Sequence, residues 1–135
     1  MDARANILVV DDEEIVRRSY ARILGEMDCN SQAAADGEAA LHAMERQPFD
    51  VVLLDVRMPG ATGLEVLRTI KRRWPASEVV VITGYPSVKS AREALRLGAC
   101  DYLAKPTHPD EVIDAARGAM RRKKWALRAE SATVH

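Results

Sequence analysis

Three observations predict an α/β domain in which helices cover both faces of a five-stranded parallel sheet. Short solid apolar runs recur as Ile7-Leu8-Val9-Val10, Val51-Val52-Leu53-Leu54 and Val79-Val80-Val81-Ile82. Longer amphipathic stretches at helical spacing separate them. The 135 residues amount to one ordinary domain. Runs rich in β-branched residues and lacking polar alternation suit strands buried on both sides. A β-α alternation with right-handed crossovers then requires parallel strands.

The elements follow in chain order. After the first run, Ile15, Val16, Tyr20, Ile23, Leu24 and Met27 share one helical face. A weaker strand candidate spans residues 30–34. Asp36-Gly37 reads as a turn into a second helix carrying Ala40, Leu41 and Met44. The run at 51–54 is the third strand; Leu64, Leu67 and Ile70 mark a third helix that ends before Pro75. The run at 79–82 leads to a fourth helix from about Ser87 to Leu97, stopped by Gly98. Its apolar face, Val88, Ala91, Ala94 and Leu95, is thin and mostly small. Residues 101–104 are a second weak strand candidate. The fifth helix begins near Pro109, where a first-turn proline is tolerated, and carries Val112, Ile113, Ala116 and Met120. It continues into a basic run from Arg121 to Arg128 that includes Trp125. A solvated helix end favoured by the dipole is the plain reading. The sharper one is a linker to an output domain, or a partner contact through Trp125. The domain is expected over residues 1–122, with a basic helix extension or tail over 123–135.

Composition excludes several classes. The chain is 47% hydrophobic, too apolar for a disordered segment. Its 20 basic and 20 acidic residues balance, which argues against direct nucleic-acid binding or an anionic membrane surface. No apolar run nears the roughly 18 residues of a membrane span, and no signal-peptide segment opens the sequence. Cys29 and Cys100 lie far apart and read as reduced thiols of a cytoplasmic protein. His42, His108 and His135 show no metal spacing and read as surface residues. Neither a G-x-G-x-x-G after the first strand, nor a Walker-type loop, nor a G-x-S-x-G elbow is present.

Ligands of open α/β sheets bind beyond the carboxyl ends of the strands. There this chain places Asp11-Asp12-Glu13-Glu14, Asp55, Thr83 and Lys105-Pro106. Glu13 and Glu14 read as first-turn acids. Asp11, Asp12 and Asp55 would crowd if the first and third strands are neighbours, because adjacent strands lie about 4.8 Å apart. Like charges that close repel unless a cation intervenes. Lys105 alone cannot neutralise three carboxylates. Oxygen-only ligands suit a hard divalent ion, and Mg²⁺ habitually takes one or two carboxylates with water and phosphate. The expectation is a partly hydrated Mg²⁺ site completed by a phosphoryl group.

Together these residues form a signature. Val9-Val10-Asp11-Asp12-Glu13 is followed by a stretch from Val52 through Asp55-Val56-Arg57-Met58-Pro59-Gly60 to Gly63. Then come Ile82-Thr83-Gly84 and Gly98-Ala99-Cys100-Asp101-Tyr102-Leu103-Ala104-Lys105-Pro106. The chain resembles the receiver domain of two-component response regulators from about Asn6 to Met120. The resemblance implies the flavodoxin-like strand order 2-1-3-4-5. It implies that Asp55 is the phosphoacceptor for a sensor histidine kinase or phosphotransfer protein. It further implies Mg²⁺ ligation by Asp12 directly, by Asp11 often through water, by Asp55 and by the backbone carbonyl of Arg57. Lys105 and Thr83 would contact phosphoryl oxygens, Tyr102 would change rotamer with Thr83, and Arg57 and Tyr85 would tune the lifetime of the acyl phosphate. Pro106 sits where the family has a cis Lys–Pro bond. Phosphorylation is expected to reshape the face made by the fourth helix, fifth strand and fifth helix. That face would act on an output domain, a partner protein or a second copy in a phosphorylation-dependent homodimer. The small residues of the fourth helix suit an element that shifts, or equally a tight helix–sheet contact. Thr107 departs from the family, where many relatives carry a bulky apolar residue, and weakens an expected anchor for the last helix.

Two rivals are weighed. A haloacid-dehalogenase-type phosphatase also uses an Asp nucleophile and Mg²⁺, but needs a second Asp where this chain has Arg57. A constitutive, phosphorylation-independent docking receiver is the other. The wording around Lys105 resembles receivers attached to transcriptional regulators, which favours a domain of a longer protein.

Overall fold

A computed structural model describes residues 4–57 and 63–133, with side chains described as far as Lys123. Five β-α units follow one another: β1 (Asn6–Val10), α1 (Glu14–Glu26), β2 (Asn30–Ala34), α2 (Gly37–Arg46), β3 (Val51–Leu54), α3 (Gly63–Arg73), β4 (Glu78–Thr83), α4 (Val88–Arg96), β5 (Asp101–Ala104) and α5 (Pro109–Thr133). All strand pairings are parallel, in the order β2-β1-β3-β4-β5. The fold class and strand order are those expected.

The pleat explains why the apolar runs are solid. Successive side chains point to opposite faces, and both faces are covered. Leu8, Val10, Val52, Leu54, Val79 and Val81 pack with α2, α3 and Ala94 of α4. Ile7, Val9, Val51, Leu53, Val80 and Ile82 pack with α1 and α5. The central strands β1, β3 and β4 are almost wholly buried, whereas the edge strands β2 and β5 are largely exposed or half-buried. Cys29 and Cys100 are free and half-buried, each just before one of those opposite edges.

Local chemistry fixes the ends. The Asp36 carboxylate accepts from the Ala39 amide at the head of α2, and the Ser87 hydroxyl accepts from the Ser90 amide at the head of α4. Gly98 has φ of 108°, the left-handed conformation that ends α4. Gly63 opens α3 where any side chain would strike the Val56 backbone. A helix start pressed that closely on the end of β3 needs glycine.

Two expectations about helix faces fail. Ile15, assigned to the inner face of α1, is 75% exposed; α1 buries only Tyr20, Ile23 and Leu24. Val88 and Leu95 are 69% and 53% exposed, so α4 buries only Ala94 fully. The proposed boundary at 122–123 lies inside α5, where Arg122 pairs with Glu78 and Lys123 with Asp50. Met58-Pro59-Gly60-Ala61-Thr62, the Trp125 side chain and His135 lie outside the described residues. No helix among the described residues is long and apolar enough to cross a membrane.

Candidate functional site

The carboxyl ends of the three central strands and of β5 build one site. Val10 pairs with Leu54, and Leu54 with Val81, so Asp11 and Asp55 leave neighbouring strands at the same level. Asp11 and Asp55 are buried and Asp12 is exposed. Each of the three offers a carboxylate oxygen, and these oxygens all lie within 4.8 Å of one another.

Each buried carboxylate is fixed twice. Asp11 accepts from the Glu13 amide at 2.9 Å and from Lys105 Nζ at 2.7 Å. Asp55 accepts from the Arg57 amide at 2.8 Å through Oδ1 and from Lys105 Nζ at 2.9 Å through Oδ2. Burial, above all, pushes the Asp55 carboxyl above its ordinary range; the Arg57 amide and Lys105 oppose this, and the Asp11 charge adds to it. Burial pulls the Lys105 ammonium down, but its bonds to Asp11 and Asp55 and their charges outweigh that and hold it up. Lys105 is therefore a fixed cation between two carboxylates.

Thr83, fully buried at the end of β4, accepts from the Tyr85 amide at 3.1 Å, and its carbonyl accepts from the Lys105 amide at 2.8 Å. The two turns thus match: Arg57 caps the Asp55 side chain, and Tyr85 caps the Thr83 side chain. Their own side chains meet outside, with the Arg57 guanidinium 4.2 Å from the Tyr85 ring centroid. Tyr102 lies further along. Its hydroxyl donates to Ser90 Oγ at 3.1 Å and accepts from the Ser87 amide at 3.4 Å. The Lys105–Pro106 peptide is cis.

The structure gathers the carboxylates of Asp11, Asp12 and Asp55 and sets Lys105 against Asp11 and Asp55, with Thr83 buried beside them and Arg57 and Tyr85 stacked outside. Sequence reading missed three participants. Arg17 donates to the Asp11 carbonyl at 2.8 Å, steadying the loop that carries both aspartates. Tyr20 shares a 2.8 Å hydrogen bond with Thr107, so the last helix has a polar anchor where only a weak one was expected. Exposed Ile15 lines a groove of about 550 Å³ with Tyr20, Tyr85, Lys105, Pro106 and Thr107. Polarity at a strand end is visible in sequence; a contact between residues 87 positions apart is not.

The donor set suits a hard cation. Three carboxylates gather at one point where one ammonium contacts two of them, all donors are oxygen, and two of the acids are buried.

Residues 7–117 match the family model described as the response regulator receiver domain. The chain is 34% identical over 119 residues to the response regulator protein PilR of Pseudomonas aeruginosa, covering 88% of this chain and 27% of that protein. The receiver domain of NtrX from Brucella abortus superposes with a TM-score of 0.81 at 36% identity, covering 85% of this chain and 98% of that one. A CheY-like receiver domain protein of Methanospirillum hungatei does so with a TM-score of 0.88 at 25% identity, covering 92% and 99%. The chain spans about a quarter of the length of PilR and of an NtrX-like response regulator of Rickettsia bellii.

Proposed function

The chain belongs to the response regulator receiver domain family, and from that premise we propose that Asp55 accepts a phosphoryl group from a phosphohistidine. The donor is a sensor histidine kinase or a phosphotransfer protein, met in the cytoplasm. One observation carries the reading: a buried carboxylate held at 2.8 Å by an amide and at 2.9 Å by an ammonium, beside two further acids.

The chemistry asks for positioning and charge neutralisation rather than covalent help. An Asp55 oxygen attacks phosphorus in line. The phosphorus–nitrogen bond breaks, its electron pair stays with the imidazole, and the ring takes up a proton. Lys105 has three N–H donors and two committed acceptors, so it can turn one toward a phosphoryl oxygen. Thr83 accepts from the Tyr85 amide, which leaves its hydroxyl proton to donate to a second oxygen. Asp11, Asp12, Asp55 and the Arg57 carbonyl would hold Mg²⁺, which when bound neutralises the transferring oxygens.

Arg57 and Tyr85 stack beside the acceptor and tune the lifetime of the acyl phosphate by limiting the approach of water. The groove beside the site, with Ile15, Tyr85 and Pro106 at its edges, gives the donor protein an apolar seat. Once Thr83 turns to the phosphoryl group, Tyr102 exchanges its bonds to Ser87 and Ser90 for an inward position. The face of α4, β5 and α5 then engages an output domain, a partner protein or a second copy.

The test uses acetyl phosphate, Mg²⁺ and intact-protein mass spectrometry. The expected result is a gain of one phosphoryl group in the wild type, absent with a chelator and absent in Asp55→Asn. A wild type that gains nothing, or a gain that persists in Asp55→Asn, overturns the reading. Loss of signalling in Asp55→Asn separates this receiver from a constitutive docking module.

A further inference from the structure

We propose that Tyr20 and Thr107 form a positioning pair that aims Lys105 at the acceptor carboxylates; the inference rests on Asp55 being that acceptor. Lys105 leaves β5, an edge strand whose side chains are only half-buried or exposed, so packing of that strand does little to set its direction. In front, its amide bonds to the Thr83 carbonyl at 2.8 Å. Behind, Thr107 stands two residues later, and its hydroxyl meets the Tyr20 hydroxyl at 2.8 Å.

Tyr20 is well suited to be the fixed member. It is 5% exposed, on the inner face of α1, packed with Ile23, Leu24 and Val112 in the layer beneath the site. A tyrosine has only two side-chain torsions, and here the ring is buried and the hydroxyl is bonded. Its pKa is raised, by burial first, and it also feels the charges of Lys105, Asp11 and Asp55. Thr107 cannot supply the apolar anchor that a larger side chain would. The Tyr20 ring fills the layer, and its hydroxyl ties the turn to α1. Both residues, with Lys105 and Pro106, line one side of the groove.

The experiment compares Tyr20→Phe, Thr107→Val and the double variant in the full chain, well below the unfolding temperature. Acetyl phosphate with Mg²⁺ gives the labelling rate, and thermal unfolding is followed in parallel. Loss of the shared hydrogen bond loosens the turn that aims Lys105 and is expected to slow labelling about threefold to tenfold in each single variant. The double variant is expected to be no slower than the slower single one, because one bond is lost in all three. Labelling at the wild-type rate, or slowing that multiplies in the double variant, overturns the pair. A second readout needs no phosphoryl chemistry: the ¹H–¹⁵N correlation of Lys105 Nζ shifts in Tyr20→Phe and stays put in Ser19→Ala. An unmoved Lys105 signal in Tyr20→Phe overturns the pair even if the wild type never labels, an outcome that would separately remove Asp55 as acceptor.

Discussion

Helices α3 and α4 lie side by side on one face of the sheet, yet they are held very differently. Helix α3 buries Gly63, Val66, Leu67 and Ile70, and its head is pressed onto the end of β3. Helix α4 buries Ala94 alone and leaves Val88 and Leu95 in solvent. What holds α4 is mostly polar: the Ser87 cap and the Tyr102 hydroxyl bonded to Ser90 and to the Ser87 amide. The Asp55 turn follows the strand that α3 braces, and Thr83 leads into the loosely held α4. In the proposed reading the reacting group has the firm support and the reporting element the loose one; the two sit one strand apart.

The largest expected effect tests the firm side. Leu67→Ala should cost about 2–5 kcal/mol by urea unfolding, since a fully buried leucine is truncated. Leu95→Ala should stay within about 0.5 kcal/mol, as for an exposed site. Equal costs would erase the contrast.

Electrostatic cost also sits at the Asp55 turn. The Asp55 carboxyl is held above its ordinary range, chiefly by burial, so the folded protein binds that proton more tightly than the unfolded chain does. In metal-free buffer, stability should then fall as pH rises through the window above about 4. Asp55→Asn removes this cost and should melt a few degrees higher at neutral pH. The gain should vanish as pH drops through the ordinary carboxylate range. A variant that melts lower at neutral pH would contradict the sign.

Smaller effects sharpen the loose side. Ser87→Ala removes a helix cap worth about 1 kcal/mol. Amide exchange should quicken across residues 88–96 while α3 keeps its protection; loss of protection in both helices would mean that they open together. Smallest is the Arg57–Tyr85 stack, worth about 0.5–1 kcal/mol at an exposed site. In a double-mutant cycle on acyl-phosphate lifetime, Arg57→Ala and Tyr85→Ala should couple by about that amount. Strict additivity would show that the two residues act apart.

Most of the fold was legible because its signals are local. Residues 7–10, 51–54 and 79–82 read as strands covered on both sides because they are short, rich in β-branched residues and separated by helical stretches, and Gly98 and Asp36 mark helix ends by their backbone chemistry. The acidic cluster was legible because parallel strands carry their polar ends to one rim. Ile15, Val88 and Leu95 misled because helical periodicity reports which residues share a face, not whether anything covers them. The Tyr20–Thr107 bond and the Asp50–Lys123 and Glu78–Arg122 pairs were invisible for another reason: each joins segments that only the finished fold brings together.

Those last two ion pairs tie α5 to the amino-terminal ends of the central strands. The helix starts four residues after Lys105, rests on the bases of β3 and β4 at Arg122 and Lys123, and runs on unbroken to Thr133. At about 1.5 Å per residue, the stretch from Pro109 to those pairs is about 21 Å and the stretch beyond them about 15 Å. Val112, Ala115, Ala116 and Ala119 press the first stretch against the sheet, so the far tip stands at a set distance from the rim that carries Lys105.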